Sequence, residues 1–266
     1  MRSVFTTVLT VYLLVGCEQG PTISTMCEAD PQICVDIHDD NWCRKERKAL
    51  LLHNYHVKQS NKDIDKYKEL LAYENYIGCM SLASQIEHIK LKEKKTNRIN
   101  SLLNAERRFD QLAKQTRNTS DPYLLFFHWS RFLDEEALKE FTEKEGSAEL
   151  ETAELQQFLA SYYIKRDPEK TLGILFHSLE ITPAGAVLND EVFESIANIF
   201  NVKKEPKQTY IWLKVLQLYN PEDQHLNEEL ISMFVEKHGL DVNFLDTVAE
   251  VTLKNIQEGN FKAPQY

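Results

Sequence analysis

Five cysteines carry most of the chemistry this sequence can offer: Cys17, Cys27, Cys34, Cys43 and Cys79. A thiolate can attack, ligate a metal or pair with a second sulfur, and its surroundings decide which. Cys27, Cys34, His38 and Cys43 form a run of zinc-ligand types, with His53 and His56 nearby. Structural zinc sites use closely spaced Cys-x-x-Cys pairs, and none occurs here, so disulfides are the favoured reading and no metal is expected. Asp36, Asp39 and Asp40 lack the alternating oxygens and central glycine of an EF-hand loop. Capping and solvation account for them. Glu135, Glu136, Glu149, Glu151 and Glu154 could host acid–base pairs, but charged helix faces produce such clusters routinely. There is no Gly-rich phosphate loop, no Gly-x-Ser-x-Gly elbow and no His-Glu-x-x-His. The expectation is therefore no catalytic residue, no cofactor and a protein that is not an enzyme.

Cys17 stands apart from the other four. One positive charge, Arg2, precedes an apolar run from Val4 to Val15, and Gly16 and Cys17 close it. A membrane-spanning helix needs about twenty apolar residues. This run is shorter and contains Thr6, Thr7 and Thr10, which suits a cleaved signal over residues 1–16. The order Leu14-Val15-Gly16-Cys17 resembles the lipobox of bacterial lipoproteins. That resemblance implies cleavage before Cys17, a diacylglycerol on its sulfur and usually an amide-linked third chain. Two acyl chains already hold a protein stably on a bilayer. In the enteric sorting rule an Asp after the lipidated Cys retains the protein in the inner membrane. Glu18 stands there instead, which implies the outer membrane and a periplasmic face.

Removing residues 1–16 from the 266-residue chain leaves 250 residues and moves the formal net charge from -10 to -11, since only Arg2 is lost. An acidic chain is a poor nucleic-acid binder. Eight Gly and eight Pro, with abundant Leu, Glu and Lys, favour an all-α chain. With Cys17 lipidated, four cysteines remain, and an oxidising compartment makes them two disulfides. Helices are expected at about 42–59, capped from Asp39-Asp40-Asn41, and at about 62–91, opened by a capping box over Ser60-Asn61-Lys62-Asp63. Cys43 lies eighteen residues before residue 61 and Cys79 eighteen after it. Equal rise along an antiparallel hairpin puts those two at one height. The expected bonds are Cys43–Cys79 and Cys27–Cys34.

Residues 17–40, with Pro21 and Pro31, read as a tether and disulfide loop, and 41–146 as a helical hairpin or bundle. A third helix at about 93–117 opens a basic stretch: Lys90, Lys92, Lys94, Lys95, Arg98, Arg107 and Arg108 against Glu93 and Glu106. A solvated face is the favoured reading, with anionic lipid headgroups or an acidic partner as the alternatives. Asp121-Pro122 starts a new helix through the aromatic run Tyr123 to Trp129, where His128 reads as a core residue. A charged helix from Asp134 is expected to end at Gly146.

Beyond it lies an internal repeat. Ile164-Lys165-Arg166-Asp167-Pro168 matches Val202-Lys203-Lys204-Glu205-Pro206, Thr171 matches Thr209, Leu175 matches Leu213 and Pro183 matches Pro221, every pair 38 residues apart. Helices are expected at 148–165, 168–181, 190–202 and 206–219, with a closing pair near 223–237 and 242–256. The repeats resemble tetratricopeptide repeats: Leu155, Phe158, Leu159, Tyr162, Leu175 and Pro183, then Phe193, Ile196, Ala197, Phe200, Leu213 and Pro221, fall at that family's apolar, aromatic and terminal-Pro places. Thr171, Thr209 and Leu159 depart from its small residues, and the period exceeds its usual length of about 34. The resemblance implies antiparallel helical hairpins stacked as an α-solenoid over 147–256, with 257–266 as a tail. The whole chain also resembles a family of uncharacterised lipoproteins of gram-negative bacteria, through the lipobox, Cys27, Cys34, Trp42-Cys43-Arg44 and Glu46-Arg47. Stacked helix pairs make concave binding surfaces. The functional expectation is a membrane-anchored adaptor or scaffold for another envelope protein, with a cell-wall hydrolase or a purely structural lipoprotein as alternatives.

Overall fold

The computed structural model describes residues 21–39, 41–87, 92–222, 226 and 228–264. Among these the chain is all-α: thirteen α-helices, one short 3-10 turn and no strand. None of the helices is long and apolar enough to cross a membrane. The chain divides into two compact units, residues 1–116 and 117–266.

In the first unit, α3 (Arg44–Ser60) pairs with α4 (Asp63–Ala83), and α4 with α5 (Lys92–Thr116). Leu50 and Leu51 of α3 are buried, as is a stripe on α4 made of Tyr73, Tyr76 and Met80. These recur at helical spacing on one face, which is why the segment folds as a helix against a neighbour. The α3–α4 turn is sharp because Asn61 takes the left-handed conformation (φ 49°) and returns its N–H to the Val57 carbonyl at 2.8 Å. At the far end Cys43 bonds Cys79, with Cα atoms 6.0 Å apart. Cys27 bonds Cys34, with Cα atoms 5.7 Å apart. The turn at residue 61 levels Cys43 with Cys79, and Cys27 and Cys34 are the pair that remains.

Four local expectations are corrected. The capping box over Ser60–Asp63 does not form: Ser60 is the last residue of α3, its hydroxyl bonds Asp65, and Lys62 precedes α4 without a side-chain cap. Likewise Cys43, not the acidic run, stands at the start of α3; Asp39 instead accepts from the Asn41 N–H, and Asp40 lies outside the described residues. The segment before it is no loose tether. It holds α1 (Ile23–Ala29), capped by Thr22, and α2 (Pro31–Cys34), capped by Asp30, and it sinks Met26, Ile33 and Ile37 into the core. Helix α4 also stops at Ala83, short of the expected 91.

The second unit holds three helix pairs: α6 (Pro122–Phe132) with α7 (Glu135–Glu143), α8 (Ala153–Tyr163) with α9 (Pro168–Glu180), and α10 (Glu191–Val202) with α11 (Pro206–Tyr219). The expected closing pair does not form as a hairpin: α13 (Val242–Gln257) packs on α11, where Leu245, Ala249, Leu253 and Ile256 join the core, and α12 (Glu228–His238) also lies against α11. The 38-residue repeat is physical: α8 and α10 start 38 residues apart, as do α9 and α11. Thr171 donates to the Asp167 carbonyl at 2.8 Å, and Thr209 to the Glu205 carbonyl at 3.0 Å. Both threonines are buried, so a hydroxyl satisfied within its own helix serves where a smaller side chain was expected. Pro168 and Pro206 occupy the first helical turn, where a missing N–H costs nothing.

The boundary between units falls at 116/117 rather than at 146, because α6 and α7 belong with the repeats. Phe126 stacks on Phe158 of α8 at 4.0 Å, and Leu125, Phe141, Leu150, Leu155 and Leu159 share one core. Helix α7 ends at Glu143, with Gly146 in a left-handed turn beyond it (φ 78°). The C-terminal segment is a strap rather than a free tail. Phe261 is buried beside Phe176 and Trp212, the Ala263 N–H donates to Glu180 at 2.8 Å, and Gly185 donates to the Gln257 carbonyl at 2.9 Å. Gly259 permits this return: its φ is 69°, and a Cβ there would meet the Ala184 backbone at 3.1 Å.

Loop-closure entropy makes the longer disulfide loop the more stabilising. Replacing Cys43 and Cys79 together by Ser should cost about 4 kcal/mol in urea unfolding, against about 2.5 kcal/mol for the Cys27 and Cys34 pair. Phe261→Ala should cost about 3 kcal/mol of the second unit's stability and lower its melting temperature, since it empties a buried aromatic site.

Candidate functional site

The first unit holds the sequence's thiols but no reactive sulfur among the described residues. Cys43, Glu46 and Cys79 place three ligand-type atoms together, yet both sulfurs are spent in the disulfide and offer no thiolate. His38, His53 and His56 join no such group. His53 is held below its ordinary pKa by burial and by the neighbouring His56 charge. Cys17 and the whole of residues 1–20 lie outside the described residues.

The basic stretch is less solvated than the sequence suggests. Arg98 is buried, donates to the Ala83 carbonyl at 2.9 Å and sits over the Trp42 ring. Arg108 reaches across to the disulfide segment, donating to Asp36 at 2.6 Å and to the Gln32 carbonyl at 3.1 Å. Arg47 donates to the Ile37 carbonyl at 3.0 Å, and Lys58 pairs with Asp30. The cations of α3 and α5 thus clamp the acidic segment of residues 30–39 onto the bundle.

Beside that clamp lies Glu69, a buried carboxylate that the sequence reading passed over. Its signal was present: Glu69, Tyr73, Tyr76 and Met80 fall on one helical face, a lone acid in an apolar stripe. The Asn54 amide donates to Glu69 Oε1 at 2.7 Å and to the Leu50 carbonyl at 3.2 Å. Burial pushes the Glu69 pKa up to about 7, with the Arg108 and Lys58 charges pulling it partly back. Burial likewise raises Tyr73 to about 12, with the Glu69 charge adding to it.

The second unit carries a groove of about 230 Å³. Helix α6 contributes Phe126, α8 contributes Gln157, Phe158, Ser161 and the following Ile164, and α10 contributes Glu191, Val192 and Ser195. Asn189 donates to Gln157 at 3.2 Å across the groove and accepts from the Glu191 N–H at 3.2 Å, which ties the start of α10 to α8. The floor is aromatic and aliphatic; the rim is amide, hydroxyl and one carboxylate. Phe158 was singled out in the sequence as a repeat position. Gln157 and Asn189 were not, since nothing in a linear pattern says which polar residues face one another. The acid cluster nominated from the sequence does not converge on this groove. Glu149 pairs with Lys144 at 2.8 Å and Glu151 with His177 at 2.9 Å. His128 is buried against Phe127 and Phe132.

Residues 14–214 match the family described as "Protein of unknown function (DUF2989)". The chain belongs to this family. No curated protein and no solved structure matches it. The family region takes in Cys17, both disulfides, Glu69 and every residue of the groove, and it ends within α11.

The raised Glu69 pKa has a definite sign. The folded state binds the proton more tightly than the unfolded chain, so this contribution to stability is full below about pH 4.5 and is lost as pH rises to about 7. The loss should be on the order of 3 kcal/mol. Glu69→Gln should remove that part of the pH dependence and leave the first unit more stable than wild type at pH 8, read by urea unfolding at several pH values.

Proposed function

We propose that this protein is a lipid-anchored component of the bacterial envelope that acts as a non-catalytic helical-repeat adaptor, binding another envelope protein through the groove of α6, α8 and α10. The observation that carries the reading is the groove's lining. An aromatic floor with a rim of amides and hydroxyls suits side-chain packing and peptide hydrogen bonding. It brings one carboxylate, Glu191, and no acid–base pair to the site, so the hydrolase alternative gains no support from it. The stacking of like helices at a 38-residue period, and the tetratricopeptide-like positions within it, fit an adaptor of this type.

The anchor rests on the lipobox ending in Cys17 and on Glu18 after it. Residues 21–39 are docked on the first unit, so the lipid would sit only a few residues from a folded surface. Tethering raises the local concentration of the groove among envelope proteins and lets weak contacts suffice. A position facing the periplasm from the outer membrane follows from this reading.

Two measurements test it. An alkyne fatty acid should label the wild type in cells and leave Cys17→Ser unlabelled and released from the membrane fraction. A photo-crosslinker placed at Ser161 or Ser195 should give a discrete protein adduct that the same probe at Lys207, on α11, does not. Equal background from all three positions would remove the basis for a groove-borne partner.

A further inference from the structure

Charge is distributed unevenly along this chain. Residues 1–116 carry 17 Lys and Arg against 15 Asp and Glu, close to balance. Residues 117–266 carry 14 against 26, a net charge of -12. All of the excess negative charge therefore belongs to the unit that holds the groove. A field of that sign raises the local concentration of cationic ligands and speeds their encounter.

The groove itself is polarised. Glu191 lines it. Glu194 lies one turn further along α10, and Glu154 lies one turn before Phe158 on α8. All three are exposed. Neither Glu191 nor Glu194 is paired with a cation among the described residues, whereas Glu145, Glu149 and Glu169 each hold a lysine. At the opposite end the surface turns apolar and basic, with Ile164 half-exposed, Val202 exposed and Lys165 one turn beyond Ser161. All three acids sit in first helical turns, where they also favour the helix dipole. That role alone needs no apolar floor beside them.

We propose, resting on the adaptor reading above, that the occupant of this groove is a basic amphipathic segment of a partner protein. An apolar or aromatic side chain seats on Phe126, Phe158 and Val192, and lysine or arginine side chains beside it meet Glu191 and Glu194, while Glu154, hydrogen-bonded to Tyr123, adds only to the negative field. The apolar seat supplies residence and the acidic rim supplies attraction and polarity. A segment carrying acids in those places is repelled, which gives the groove its selectivity.

The test uses the purified full chain and labelled synthetic peptides of about fifteen residues, roughly 22 Å when helical. One has Leu and Phe at helical spacing with Lys between them. The second has Glu in place of Lys. The third keeps the Lys and replaces Leu and Phe by Ser. The first should bind, the other two at least about tenfold more weakly, and raising salt from about 50 to about 500 mM should weaken the first about tenfold. Reversing the rim charge with Glu191→Lys and Glu194→Lys should have a similar effect, and Ser161→Trp, which fills the groove, should abolish binding, with helicity confirming the fold of each variant. Equal binding of the Glu peptide, or of the peptide without Leu and Phe, overturns the proposal. So does a rim reversal that lowers stability but leaves affinity unchanged, which would reduce the acids to helix-end partners. Crosslinks from Ser161 in cells without binding of the Lys peptide would sink the basic-segment inference and leave the adaptor reading standing. Loss of both would remove the two together.

Discussion

A short helix in water is marginal by itself, and this constraint shapes every part of the chain. Most of its helices have between nine and seventeen residues, below or near the length at which isolated helices hold together. Each has one apolar face and must bury it on a neighbour. The shortest route is the helix next in sequence, reached through a tight turn, so both units are assembled from antiparallel pairs. Residues that permit those turns recur at the joints: Asn61 in the left-handed conformation, Pro122, Pro168 and Pro206 in first helical turns, and Asp121, Asp134, Thr152 and Asp167 as N-caps.

The two units solve the same problem by different means. The first has few large aliphatic residues on α5, whose faces are rich in Lys and Arg, and it relies on covalent and electrostatic ties. Two disulfides restrain its unfolded chain, and Arg47, Lys58 and Arg108 fasten the acidic N-terminal segment to the bundle. The cost of this polar construction is visible at Glu69, whose carboxylate is buried beside Asn54 and Tyr73 and prefers to keep its proton. The second unit is conventional by comparison. Its core is a continuous body of Leu, Ile, Val and aromatic residues running from α8 to the C-terminal strap, where Phe261 covers Phe176 and Trp212.

Repetition has a geometric by-product that bears on function. Helices α8 and α10 start 38 residues apart, and the first helices of the three pairs, α6, α8 and α10, all line the groove. Their buried faces go to the second helices, and the strip between them remains as a groove. Some side chains in it tie the helices together, as Phe126, Phe158 and Gln157 do, while the exposed Ser161 and Glu191 are open to other uses. Its lining sets Gln157, Ser161, Glu191 and Ser195 around Phe126, Phe158 and Val192.

By itself the sequence determined what depends on local order. Helical class, the 38-residue period and the disulfide partners all follow from spacing along one chain; Cys43 and Cys79 are equidistant from residue 61, and a hairpin turn there leaves them level. What the sequence left open was decided by contacts between residues far apart in it. That α6 and α7 join the repeats depends on Phe126 meeting Phe158. Residues 21–39 are ordered because Ser101 and Arg108 bond to them from α5. The last residues form a strap because Phe261 finds a site beside Trp212. Burial decides the state of Glu69 and pairing decides which carboxylates remain available, and both are properties of the packed molecule: a residue's charge is written in the chain, but its neighbours across the fold set what that charge can do.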